Sequence, residues 1–302
     1  MKKNIIGVIP PIITPVDEQE RVDEKGLRRL IQHCVEHKIH GIFIAGSNGE
    51  CMALTQKERD RAIKIAIEEC GDKTPLIAGC MDSSTQRVIE NIKRFEAMGG
   101  KTAVVTPVFY SRHASQKETV RHFEEISRNT EADLMIYNIP MFTGLNLLPE
   151  TVFEIAKIDK VIGIKDTSGN YPQFIRLLEH FRGTDFLVHQ GSTSLAVPSM
   201  LMGADGYVPS LAPLFPEVHR KVYEYGRAGN IEQAVKWGEI LDGVCRLYPM
   251  AKSQTSSTKY AMSKLGFLDW RVIRPTEPIT AEEMAKIDAH IEKYREYAAI
   301  PE

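Results

Sequence analysis

Lys165 ends the apolar run Val161-Ile-Gly-Ile164, an unusual place for a side chain that seldom buries its charge. Desolvation there disfavours the ammonium form and leaves a neutral amine able to attack a ketone. The protonated imine so formed is an electron sink for making or breaking the adjacent carbon–carbon bond. A snorkelling lysine paired with Asp166 would look the same in sequence. Tyr137 ends another apolar run, residues 134–137, and opens Tyr137-Asn-Ile-Pro140. Its phenol can shuttle a proton if a hydroxyl such as that of Ser47 relays it; a core tyrosine with a satisfied hydroxyl is the alternative. Gly46-Ser-Asn-Gly-Glu50 reads as a strand-to-helix turn. Its backbone N–H groups, the Ser47 hydroxyl and the Asn48 amide suit a carboxylate. It lacks the Gly-Lys-Ser/Thr ending of a phosphate loop, and glycine turns with a polar cap are common.

These residues fall where elements change. Apolar runs at 7–13, 41–45, 75–79, 102–106, 134–137, 161–164, 186–189 and 206–208 predict eight strands. Most are continuous rather than alternating, as parallel strands covered on both faces are. Segments of helical periodicity separate them. Thr55-Gln-Lys-Glu58 and Ser115-Gln-Lys-Glu118 predict capping boxes, and Gly71 and Gly99-Gly100 predict helix ends. Eight repeats fit an α/β fold closed as a (β/α)8 TIM barrel, with an open doubly wound sheet as the competitor. In such a barrel Ser47, Tyr137 and Lys165 stand at the reactive, C-terminal ends of strands two, five and six. Helical segments at 215–227, 231–246, 256–265 and 281–298 follow. We expect residues 1–228 to form the barrel and 229–302 a C-terminal helical appendage packed on it.

The 302 residues are 43% hydrophobic and 26% charged, an ordinary globular balance. A formal charge of −2 provides no basic field for nucleic acid, and no apolar run approaches the ~20 residues that span a bilayer. The start of the chain shows no signal-peptide pattern. Cys34, Cys51, Cys70, Cys80 and Cys245 are scattered without metal spacing, so buried free thiols in a reducing cytoplasm are expected, and no metal. The histidines form no ligand group; His33, His37 and His40 are expected on a solvated helix face.

Taken in order, Gly46-Ser-Asn-Gly-Glu50, Tyr137-Asn-Ile-Pro140 with Thr143-Gly144, and Gly163-Ile-Lys-Asp-Thr-Ser-Gly169 resemble the dihydrodipicolinate synthase/N-acetylneuraminate lyase family. Pro10-Pro-Ile-Ile-Thr-Pro15, Val105-Thr-Pro107, Gly203-Ala-Asp-Gly206 and Lys259-Tyr-Ala-Met262 extend the resemblance over essentially the whole chain. It implies a Schiff-base lysine at Lys165, a proton-shuttling tyrosine at Tyr137 and its hydroxyl partner at Ser47. Asn48 and Gly49 stand where the pyruvate carboxylate is held, Val208 matches a backbone carbonyl near the imine, and Thr167 belongs with the substrate-binding residues. The resemblance also implies a homotetramer that uses no metal or organic cofactor.

Departures bear on the second substrate. Phe142 stands where the synthases carry an arginine for an acidic partner, and Phe109, followed by Tyr110, stands where they reach a tyrosine into the neighbouring subunit. Gly191 and Ser210 resemble the sialic acid lyases, whose Asp-Glu pair is here Thr193 and Ser194. The expected activity is a pyruvate-dependent class I aldolase. Its favoured substrate is a 2-keto-3-deoxy sugar acid, or pyruvate with the related aldehyde. A sugar-acid dehydratase, a true dihydrodipicolinate synthase of lysine biosynthesis and a non-catalytic keto-acid-binding barrel are the alternatives.

Overall fold

The computed structural model describes residues 4–111 and 113–300. Eight parallel strands are present: β1 (Gly7–Val8), β2 (Ile42–Ile44), β3 (Leu76–Gly79), β4 (Thr102–Val105), β5 (Asp133–Asn138), β6 (Val161–Asp166), β7 (Leu187–Gln190) and β8 (Gly206–Tyr207). They pair in the order β1-β8-β7-β6-β5-β4-β3-β2. The two ends of that order meet beyond β1, where the Phe43 N–H donates to the Pro10 carbonyl at 3.0 Å and the Ile12 N–H to the Phe43 carbonyl at 2.8 Å. The sheet therefore closes as the expected barrel.

Strand β1 is much shorter than the 7–13 run predicts. Pro10 and Pro11 have no N–H to donate, so the ladder stops and only single bonds continue the contact with β2. The other strands match their apolar runs closely, and β6 runs through Lys165 to Asp166.

Helices cover the outside. The first, Glu24–Glu36, buries Leu27, Leu30, Ile31 and Cys34, spaced i, i+3, i+4, i+7. His33 on this helix contradicts the solvated face expected of it. Its ring is buried, with Nε2 2.8 Å from the Pro213 carbonyl and its face against Phe267. His40 is likewise half-buried: its Nδ1 accepts the Val8 N–H at 3.2 Å and its ring meets Tyr223. Segments after β8, Pro213 and Tyr223 within the barrel region and Phe267 from the C-terminal region, cover that flank, which periodicity within the helix cannot reveal. Four cysteines are buried free thiols and Cys245 is partly exposed.

Capping departs from expectation as well. Thr55 caps Gln56–Cys70 through the Glu58 N–H, but the Glu58 carboxylate accepts the Val22 N–H at 2.7 Å instead of completing a box. Ser115 makes no side-chain cap; Glu118 takes the Ala114 N–H at 2.9 Å. The complete box belongs to Thr280 and Glu283, ahead of Ala281–Lys293.

Beyond β8 the chain is helical, as expected: Pro216–Arg227, Ile231–Cys245, Gln254–Ser263 and Ala281–Lys293. The tail returns to the barrel, with the Ala299 N–H donating to the Leu214 carbonyl at 2.8 Å. No helix among the described residues is long and apolar enough to cross a membrane.

Candidate active site

Residues 165 and 166 are successive in a strand, so their side chains leave opposite faces of the sheet. Asp166 is occupied on its own face by the Ser168 N–H at 2.8 Å, Gln173 Nε2 at 3.0 Å and Asn138 Nδ2 at 3.1 Å. The paired-lysine alternative is thereby removed. Lys165 is only 4% exposed, and no carboxylate among the described residues acts on its Nζ as a charge partner. Instead Nζ stands 4.0 Å from the centroid of the Tyr137 ring and 5.0 Å from that of Phe43. Burial lowers the pKa of this amine from 10.5 to about 7. That fall corresponds to roughly 5 kcal/mol against the charged form, whereas aromatic faces return about 2 kcal/mol to a desolvated cation. Desolvation wins, and the neutral amine is far more accessible at Lys165 than at a solvent-exposed lysine.

Tyr137 is the direct register partner of Lys165 between β5 and β6. It too is buried. Burial pushes its phenol well above the ordinary tyrosine range, and the neighbouring hydroxyls of Ser47 and Thr167 draw it part of the way back. The phenol therefore stays protonated at neutral pH and can pass a proton only as part of a relay. Thr167 Oγ1 is itself buried, near the phenol but not aligned into a hydrogen bond. Gly191 makes that position possible, since a Cβ there would fall 1.9 Å from Thr167 Oγ1.

The turn after β2 is a single 3-10 turn, Ser47–Gly49, entered through extended Gly46 and left through Glu50 in the left-handed region at φ 54°. The Gly49 N–H is satisfied by the Gly46 carbonyl at 3.0 Å, and the Gly49 carbonyl accepts from Thr14 Oγ1 at 2.8 Å. The N–H groups of Ser47 and Asn48 begin the turn, so the turn itself provides them no carbonyl. The Asn48 amide donates one N–H to the Pro11 carbonyl at 3.0 Å, which anchors the turn while a second donor remains on the same nitrogen.

These elements surround a cavity of about 180 Å³ at the C-terminal ends of the strands. Lys165, Tyr137, Ser47, Asn48 and Thr167 line it, and so do Gly191, Val208, Ser210 and Phe142. Gly49 does not; it lies behind the turn against Thr14. Pro11, Ile139, Met141, Gln254 and Thr255 also line the cavity and escape sequence reasoning. Gln254 and Thr255 come from the start of a helix whose weak amphipathic pattern carries no hint of a site nearly ninety residues away along the chain.

Two larger spaces adjoin. One of about 350 Å³ shares Ser47, Ile139 and Phe142 and continues over Met52, Met81 and Phe109, a mostly apolar wall. The other, about 510 Å³, shares Thr167, Gly191, Val208 and Ser210. Several hydroxyls stand on its wall, those of Thr193, Ser192, Ser194, Ser210 and Tyr248, beside the charged Asp242 and Arg246 and the apolar Val197 and Leu241. No group of three or more histidine, cysteine, aspartate or glutamate side chains arranged to hold a metal occurs among the described residues.

Residues 4–294 match the dihydrodipicolinate synthetase family. A 4-hydroxy-tetrahydrodipicolinate synthase of Thermoanaerobacter sp. (strain X514) is 30% identical over 290 residues, 94% of either chain. An uncharacterized DapA-like lyase of Thermofilum pendens is 30% identical over 270 residues, 88% of this chain and 89% of its own. Among solved structures, a chloride-inhibited dihydrodipicolinate synthase of Acinetobacter baumannii complexed with pyruvate superposes with a TM-score of 0.89. It is 27% identical and covers 95% of this chain and 98% of its own. The chain belongs to the dihydrodipicolinate synthetase family and, as a member of it, is a carbon–carbon lyase.

Proposed function

We propose that this lyase is a class I aldolase that releases pyruvate from, or adds it to, a 2-keto-3-deoxy sugar acid through an imine on Lys165. The observation that carries the reading is a buried lysine amine with no carboxylate partner, set over the ring of Tyr137 at the wall of a cavity and pushed by burial toward its neutral form. The pyruvate complex of the Acinetobacter baumannii structure supports the same ligand class.

In the cleavage direction the neutral Lys165 Nζ attacks C2 of the keto acid. The carbinolamine hydroxyl leaves as water with the proton of the Tyr137 phenol, which gives a protonated imine beside a phenolate held by the Ser47 hydroxyl. The phenolate, steadied by the Ser47 hydroxyl, takes the proton of the C4 hydroxyl and becomes a phenol again. The C3–C4 bond breaks, its electron pair moves into the imine, and an aldehyde departs. The relay returns the proton to C3 of the enamine. Water then adds at C2, pyruvate leaves and the amine is restored. The imine is the electron sink, so the steps call for no further cofactor. Ser47 and Asn48 N–H groups receive the substrate carboxylate, and Val208 stands beside the imine. Gly191, Ser210 and the hydroxyl-rich space beyond them suit a polyol chain, while Phe142 and the methionines make the opposite wall unsuited to a carboxylate.

We further infer a homotetrameric assembly. Tyr110 is 98% exposed in a left-handed backbone conformation, and Met141 and Phe142 lie exposed near the cavity mouth, which suits a subunit contact beside the site. A reducing compartment such as the cytoplasm suits the five free cysteines. A panel of aldehydes offered with pyruvate tests the substrate class. Turnover of neutral polyhydroxy aldehydes, lost in Lys165→Ala, is the expected result. Turnover of aspartate semialdehyde alone would replace this reading by that of a 4-hydroxy-tetrahydrodipicolinate synthase.

A further inference from the structure

Glu50 and Lys259 lie 209 positions apart and form an ion pair in the protein interior, their side chains 6% and 0% exposed. Nothing in the proton relay uses either one. Glu50 closes the turn that carries Ser47 and Asn48, in a left-handed conformation that a side-chain-bearing residue adopts only when its surroundings hold it there. Its carboxylate is held from two directions. One oxygen accepts the Ile273 N–H at 2.8 Å, and the other meets Lys259 Nζ. Lys259 Nζ donates in turn to the Arg271 carbonyl at 2.7 Å. Val16, Leu54 and Ile273 form a separate small apolar cluster at the same junction. The helix Gln254–Ser263 that carries Lys259 also lines the reactive cavity through Gln254 and Thr255. Thr255 and Lys259 are four residues apart and share a helix face. One rigid element thus touches the cavity directly and grips the turn that borders it.

We propose that Lys259 is a positioning residue for keto-acid binding: through Glu50 it locks the Ser47–Gly49 turn in its carboxylate-accepting shape, so that the C-terminal helical region completes the site. A buried charge pair is a weak source of stability but a strict geometric constraint, because neither partner can relocate without leaving a bare charge. The proposal rests on the pyruvate reading above and deepens it.

The test is reductive trapping of pyruvate by borohydride, with the adduct measured by mass against pyruvate concentration. In Lys259→Met, half-maximal trapping should need about tenfold more pyruvate, the adduct yield at saturation staying as in the wild type. The double variant Glu50→Gln/Lys259→Met leaves no lone charge behind and should show the same displacement; it decides the matter if the single variant does not fold. An unchanged half-maximal concentration in a folded variant would overturn the proposal. So would a lowered saturating yield at unchanged concentration. Failure of both variants to fold would overturn it as well, since the pair would then hold the fold and not the site. A wild type that traps no pyruvate would instead refute the underlying functional reading, and the two failures are therefore distinct.

Discussion

Replacing Gly191 with alanine tests how the relay is packed. The new methyl would fall 1.9 Å from Thr167 Oγ1 and 2.9 Å from the Asp166 carbonyl, both far inside contact distance. The backbone cannot yield easily, because the Gly191 N–H is bonded to that same carbonyl at 2.7 Å. The side chain of Thr167 must therefore swing away, and its hydroxyl leaves the neighbourhood of the Tyr137 phenol. Overpacking of this kind costs about 1–3 kcal/mol of stability. Removing a hydroxyl that helps a buried phenol transfer a proton should slow the transfer by about 10–100-fold, within the range general acid–base groups contribute. A direct assay is exchange of the pyruvate methyl protons in heavy water, followed by NMR, which reports enamine formation without any aldehyde. Thr167→Val, which removes the hydroxyl without a clash, should reproduce the slower exchange at nearly wild-type Tm. Wild-type exchange in both variants would show that the Thr167 hydroxyl does not tune the Tyr137 phenol.

Other outcomes follow from the same geometry. Imine formation requires neutral Lys165, whose burial lowers its pKa to about 7; trapping rates should fall about tenfold per pH unit below 6 and level off above 8, and a rate still climbing steeply at pH 9 would contradict this. Ser47→Ala removes a hydroxyl that draws the phenol pKa down, so methyl-proton exchange should slow by about tenfold or more while the protein remains folded by circular dichroism. Phe142→Arg places a cation on an exposed wall of the cavity and should raise kcat/KM for acidic aldehydes relative to neutral ones; an unchanged ratio would remove Phe142 from the specificity argument.

The barrel was legible because its strands are nearly continuous apolar runs, and parallel strands buried on both faces write themselves that way. Lys165 stood out for the complementary reason, as a charge at the end of such a run. What escaped depends on contacts between distant parts of the chain. Gln254 and Thr255 reach the cavity only because the C-terminal helices fold back over the mouth. The same return covers His33, which a reading confined to its own helix leaves in solvent. The failed Ser115 box and the half-made Thr55 box show another limit: Glu118 and Glu58 each found a different N–H, at Ala114 and Val22. Spacing specifies which partners are possible, and packing chooses among them. The shortened β1 was foreseeable from Pro10-Pro11, since two residues without an N–H cannot continue a ladder.

Peptide mapping after borohydride reduction in the presence of pyruvate bears most directly on the central claim. The reduced adduct should lie on the peptide containing Lys165, and no adduct should form in Lys165→Ala. Modification of a different lysine, or an unmodified Lys165 in folded protein at pH 8, would contradict it.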